Sequence, residues 1–125
     1  MNQLASKIQD SELEVMRVLW ESGDPLPLIE IRRVLSSRCG WEDSTIKTLL
    51  RRLLAKDIVK LERRGVYSAI VTEEEYNQWS TRTFVEKIFA GSAKNLVASL
   101  VSGGQLDEKD IEELSTLFNA GGKHE

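Results

Sequence analysis

Cysteine, histidine and proline are nearly missing from this chain of 125 residues, which holds one, one and two of them. Each scarcity excludes a class of function. The lone Cys39 has no internal partner for a disulfide, and with His124 it makes no metal site of ordinary ligand count. Cys39 is expected as a semi-buried thiol in a reducing compartment, with redox sensing as the alternative. The only imidazole lies in the tail, and neither a glycine-rich phosphate loop nor a nucleophile elbow is present. An enzyme is therefore not expected, and no cofactor or metal is implied. Long apolar runs are missing too: no window approaches the roughly 18 uncharged apolar residues of a membrane span. The opening MNQLASKIQD lacks the apolar stretch of a signal peptide, so a cytoplasmic location is expected. Low-complexity linkers and internal repeats are also lacking. The length suits one compact domain, or a small domain with an oligomerisation appendage.

Charge is present in both signs, and its placement matters more than its total. The chain is formally −3, which by itself argues weakly against nucleic acid. Residues 44–66, however, hold seven cations (Lys47, Arg51, Arg52, Lys56, Lys60, Arg63 and Arg64) against Asp57 and Glu62, a net +5. Residues 73–125 hold five cations against ten acids, a net −5. Such a split suggests one half facing phosphates and another kept away from them.

The hydrophobic pattern predicts three helices and a hairpin in the first part of the chain. Ser11 and Glu14 have capping-box spacing before an apolar stripe of Leu13, Met16 and Trp20 with Val15, Val18 and Leu19; Gly23 and Pro25 end that helix. A second helix is expected from about Pro27, with Leu28, Ile31, Val34 and Leu35 inward and Gly40 closing it. In the third, roughly 43–56, Ile46, Leu49, Leu50, Leu53 and Leu54 fall on one side at 100° per residue. Ser44, Thr45, Lys47, Thr48, Arg51, Arg52 and Ala55 fall on the other. That face carries three cations and no acid, whereas an ordinary solvated face mixes both signs. Trp41, just before it, is expected to pack as a core or staple residue; the alternative sets its indole donor near a phosphate.

Ile58-Val59-Lys60-Leu61 and Val66-Tyr67-Ser68-Ala69-Ile70-Val71 then read as two short strands around the turn Glu62-Arg63-Arg64-Gly65. Three helices followed by a hairpin is the order of a winged helix-turn-helix, with Arg63 and Arg64 at the tip of the wing. The functional reading puts the third helix in the major groove, where base edges offer acceptors, and the wing on the minor groove or backbone. The candidate DNA-binding residues are Ser44, Thr45, Lys47, Thr48, Arg51, Arg52, Arg63 and Arg64. A winged helix used only as a scaffold for protein interaction is the rival reading.

A long helix is expected from Thr72, where Glu75 completes a second capping box, followed by a short helix around Leu96–Val101, a break at Gly103-Gly104 and a last helix from about Asp107. Trp79, Phe84, Ile88, Leu96, Val97, Leu100, Ile111, Leu114, Leu117 and Phe118 are the candidate dimerisation residues, since short apolar helices gain stability by burial against a second copy. The fold class is thus mainly α with a minor β part: a winged-helix DNA-binding domain over 1–72, a helical dimerisation region over 73–120, and a frayed tail over 121–125.

The stretch Trp41-Glu42-Asp43-Ser44-Thr45-Ile46-Lys47-Thr48-Leu49-Leu50-Arg51-Arg52-Leu53 resembles the recognition-helix motif W-x-x-x-T-[VI]-x-T-L-[LI]-x-R-L of the penicillinase repressor (BlaI/MecI/CopY-type) family. Asp10 to Met16, Leu19-Trp20, the wing Gly65-Val66-Tyr67-Ser68 and the acidic Leu106 to Leu114 are similar as well, so the likeness covers about residues 10–118. It implies a homodimeric repressor holding a palindromic operator in double-stranded DNA, with dimerisation carried by the helices after Thr72. Family members that answer β-lactams are inactivated by a regulatory protease, typically at an Asn-Phe bond; the matching stretch here has Ser99-Leu100. Copper-responsive members carry a C-terminal cysteine cluster, which the ending Gly121-Gly122-Lys123-His124-Glu125 lacks. The likeness therefore reaches the DNA-binding half and departs from both sensing patterns.

Overall fold

A computed structural model describes residues 3–121. After a short 3-10 turn (Gln3–Lys7) come α1 (Asp10–Ser22), β1 (Leu26–Pro27), α2 (Leu28–Cys39), α3 (Asp43–Ala55), β2 (Val59–Arg63), β3 (Val66–Ala69), α4 (Glu73–Phe89), α5 (Ala93–Ser102) and α6 (Glu108–Gly121). The chain divides into two compact units, at Thr81/Arg82.

In the first unit α1, α2 and α3 enclose one core. Val15, Met16 and Leu19 meet Ile31 and Leu35 of α2 and Ile46, Leu50 and Leu53 of α3, all buried. Apolar side chains at three- and four-residue steps put a continuous stripe on each helix, and burying those stripes together is what makes such short helices stable. Glycines in the left-handed region stop the first two: Gly23 at φ +72° and Gly40 at φ +69°, where the Gly40 N–H donates to the Ser36 carbonyl at 3.0 Å.

The start of α1 corrects the expected Ser11/Glu14 box. The box lies two residues earlier, where the Gln9 N–H donates to Glu12 Oε1 at 3.0 Å. Ser11 is already inside the helix and so has no cap to make, while Glu14 points toward Arg17. Glu12 is fully buried on the apolar face, and its carboxylate accepts from Lys56 Nζ at 2.7 and 2.8 Å. Lys56 Nζ also donates to the Lys7 carbonyl at 2.8 Å. A buried carboxylate is tolerable only when paired and hydrogen-bonded, and this one is both.

The hairpin has a third strand that the pattern did not predict. Leu26 and Pro27 pair antiparallel with Tyr67 and Val66, giving the order β1-β3-β2. Pro27 is acceptable there because β1 is an edge, where a missing donor leaves no ladder bond broken. It immediately precedes α2, whose first N–H (Leu28) donates to the Gly65 carbonyl at 2.8 Å. The β2–β3 turn uses Gly65 at φ +75°, and the register slips between Leu61 and Arg63. The first hairpin strand is shifted toward the turn, starting at Val59 and running to Arg63. The second is shorter than predicted, ending at Ala69: the Ile58 carbonyl takes the N–H groups of Ile70 and Val71 beyond the ladder. The Val71 carbonyl in turn accepts from the Trp20 indole at 2.9 Å, and Trp20, Tyr76 and Trp79 form a chain of rings with successive centroids 5.8 Å apart.

The expected Thr72/Glu75 box starts α4: the Thr72 N–H donates to Glu75 Oε1 at 2.9 Å, and the Glu75 N–H to Thr72 Oγ1 at 3.1 Å. In the second unit, Ser92 caps α5 by accepting from the Asn95 N–H, and Asp107 and Asp110 cap α6 reciprocally. Val85 is the one buried side chain among the described residues of this unit, and α5 and α6 bury none. Except for Gly121, which ends α6, the predicted frayed tail lies outside the described residues.

Candidate nucleic-acid interface

The inner face of α3 is set by Ile46, Leu49, Leu50 and Leu53, each buried, and this fixes what the helix presents outward. Ser44, Thr45, Lys47, Arg51 and Arg52 are exposed and Thr48 is half-buried, so all six α3 candidates share the outer side. Arg63 and Arg64 are exposed at the turn of the wing. The structure thus gathers the predicted residues into two groups, one along a helix and one at a hairpin tip of the same unit.

Two of the acids near this surface, Asp43 and Glu62, are held by other partners. Asp43, in the first turn of α3, hydrogen-bonds Arg32 of α2. That guanidinium keeps the Asp43 carboxyl below the usual carboxylate range. Glu62, at the irregular step of the wing, accepts from Ser68 Oγ at 2.6 Å and lies 3.5 Å from Lys60 Nζ. The Ser68 hydroxyl, and then the Lys60 charge, hold Glu62 below its usual range as well. Two of the seven cations counted in residues 44–66 are thereby engaged, Lys56 with Glu12 and Lys60 with Glu62. The other five, Lys47, Arg51, Arg52, Arg63 and Arg64, make no ion pair among the described residues. Exposed cations without an ion-pair partner, beside hydroxyl donors, suit an anionic surface studded with acceptors.

Trp41 packs half-buried against the core, as the packing reading expects. Its indole N–H has no hydrogen-bond partner among the described residues. Cys39 is a free, half-buried thiol at the end of α2. Among the described residues no group of three or more His, Cys, Asp or Glu side chains could hold a metal ion, and no helix is long and apolar enough to cross a membrane.

The dimerisation candidates separate. Trp79 sits in the first unit, half-buried against its core and the Tyr76 ring. The other nine lie in the second unit. Leu96 and Leu100 are half-buried; Phe84, Ile88, Val97, Ile111, Leu114, Leu117 and Phe118 are exposed, the last two at 68% and 74%. Val97, Val101, Leu106, Ile111, Leu114 and Phe118 line an open apolar groove of about 370 Å³. What sequence reasoning missed is the Glu12–Lys56 pair. Its signal was available, since Glu12 falls at helical spacing with Val15, Met16 and Leu19, where an acid is out of place.

Comparison with known proteins agrees with this geometry. The model of a family described as penicillinase repressor matches residues 8–120. The penicillinase repressor of Bacillus licheniformis is 30% identical over 115 residues, covering 90% of this chain and 89% of that protein. The penicillinase repressor of Staphylococcus aureus is also 30% identical, covering 90% and 91%. The methicillin resistance regulatory protein MecI of Staphylococcus aureus (strain N315) is 25% identical over 122 residues, covering 95% and 98%. Among solved structures, that of the DNA binding domain of the repressor BlaI is 33% identical, with a TM-score of 0.52, covering 61% of this chain and 94% of that one.

Proposed function

The chain belongs to the penicillinase repressor family, and on that premise we propose that it represses transcription as a homodimer on a palindromic operator. It binds duplex DNA as a repressor and not as an enzyme. The observation that carries this reading is the outer face of α3, which from Ser44 onward carries three exposed cations and no acid, together with the two arginines of the wing. Thr45, Lys47, Thr48 and Arg51 read the major groove, where Arg and Lys meet guanine acceptors and a threonine methyl suits thymine. Arg52 holds a phosphate, and Arg63 and Arg64 grip the backbone or minor groove.

The apolar surface of the second unit supports the dimer. Leu117 and Phe118 are largely exposed, and α5 and α6 have no buried side chain, so these helices lack a core of their own. A second copy supplies one, and the paired recognition helices then match two half-sites about one helical turn apart. The division of labour follows the sequence: residues 1–72 hold DNA and 73–120 hold the partner, with Trp79 bracing the first unit. Cytoplasmic location accords with a soluble DNA-binding role. The direct test is a gel-shift series on DNA fragments selected by the protein from its own genome. Binding falls steeply with salt, and Arg51→Ala lowers affinity for the selected site by about 1–3 kcal/mol. Undiminished binding by Arg51→Ala contradicts the assignment.

A further inference from the structure

Trp20, in the last turn of α1, donates its indole N–H to the Val71 carbonyl at 2.9 Å, and its ring leads to Tyr76 and then Trp79 of α4. We propose that this ring chain is a positioning element for operator recognition. It fixes the direction in which α4 leaves the first unit, and thereby the half-site spacing that the paired recognition helices accept. The inference rests on the dimeric DNA-binding reading and adds to it the residues that set operator geometry.

Three observations single out these rings. First, α4 starts straight after the hairpin, where Val71 is fully buried and its N–H donates to the Ile58 carbonyl. The Trp20 hydrogen bond therefore ties the end of α1 to the point from which α4 departs. Second, Tyr76 and Trp79 lie three residues apart on one face of α4, and among the described residues they are its hydrophobic side chains packed against the core of the first unit. The Thr72/Glu75 box fixes where the helix begins, whereas the rings fix its rotation and tilt against α1. Third, α4 is one helix from Glu73 to Phe89 with neither glycine nor proline, and it crosses the division between the units at Thr81/Arg82. Sharp kinks need such residues or an inserted bulge, so the tilt set in its first two turns carries along its length.

DNA supplies the reason that this direction matters. One base pair added between two half-sites moves one of them by about 3.4 Å and turns it about the axis by roughly 34°. A dimer whose recognition helices are held at one angle meets the second half-site at one spacing. Loosely held helices accept several spacings and lose conformational entropy at each. The indole hydrogen bond is directional, so together with two tilted ring contacts it holds an angle more firmly than aliphatic packing would.

The test uses the full chain and duplexes carrying both half-sites of a genome-selected operator, with their separation lengthened or shortened stepwise. A duplex carrying a single half-site is the control. Trp20→Phe removes the hydrogen bond and keeps a ring, and Tyr76→Leu breaks the chain in its middle and keeps an apolar side chain. Thr81→Gly with Thr83→Gly, both exposed, softens α4 beyond the rings and touches none of them. The parent is expected to prefer one separation by on the order of tenfold over its neighbours. All three variants flatten that preference to about twofold, while they bind the single half-site as the parent does and sediment as dimers. A merely structural role instead lowers binding to every duplex alike and keeps the preference, which overturns the proposal. So does the parental profile in Trp20→Phe and Tyr76→Leu, whatever the glycine variant does. A glycine variant with the parental preference overturns transmission through α4, even where a ring variant fails to fold. A parent that binds one half-site and two with equal affinity at every separation overturns the dimeric operator reading itself.

Discussion

At the scale of single residues, the molecule separates cations that hold the fold from cations that make no ion pair among the described residues. Lys56 belongs to the first kind. Its ammonium carries the charge balance of Glu12, which is fully buried. Replacing Lys56 with Met leaves that carboxylate with the Gln9 N–H and no counter-charge. Removing one partner of a buried pair costs about 3 kcal/mol or more, so the variant melts well below the parent. A Glu12→Gln/Lys56→Met double variant recovers part of the loss, because it abolishes the buried charge. Melting of Lys56→Met at the parental temperature contradicts this account. Asp43 and Arg32 give a milder, pH-dependent case. The folded-state pKa of Asp43 is depressed, so its contribution to stability is present at neutral pH and lost as pH falls through the folded value. Denaturation curves of Asp43→Asn and parent therefore differ at pH 7 and converge in acid; a constant gap at every pH argues against the pair. In the sequence only part of this was readable. The acid-free face at 44–55 could be seen from helical spacing alone, but the use of Lys56 depends on a contact with a residue 44 positions away. A local charge count has no access to such a contact.

At the scale of elements, helices and wing were legible because their signals are local and periodic. Gly23 and Gly40 stop helices where the pattern stops, and Thr72 and Glu75 form the box their spacing predicts. The signals failed where two candidates compete within one turn: Gln9/Glu12 won over Ser11/Glu14 because Glu12 also gains Lys56. The strand β1 was invisible, since two residues have no period and one of them is proline. The exposed apolar face of α6 makes the strongest prediction at this scale. Leu117→Glu with Phe118→Glu places two charges in the proposed dimer contact without touching a buried core. Sedimentation then gives a monomer while far-UV circular dichroism keeps its helical signal. A double variant that sediments as the parent does, in a dimer, removes these residues from the interface.

At the scale of the whole molecule, DNA reading and self-association are proposed for different units, and on that proposal each depends on the other for affinity. A fragment ending at Thr81 retains the core of α1, α2 and α3 and the ring chain from Trp20 to Trp79. It is expected to melt cooperatively and to bind a single half-site. Its affinity for the full operator should fall by orders of magnitude, because the second half-site is no longer held at high effective concentration. Equal operator affinity of fragment and full chain would mean that the second unit serves something other than pairing. The central claim is that the outer face of α3 reads DNA sequence. Its most direct test is the ratio of affinities for a genome-selected site and a scrambled duplex of equal length, measured at one fixed salt concentration for the parent, Arg51→Ala and Arg63→Ala. The account predicts that Arg51→Ala collapses the ratio toward one, whereas Arg63→Ala weakens both duplexes alike and preserves it. A ratio that survives in Arg51→Ala and disappears in Arg63→Ala would contradict it, placing sequence readout in the wing.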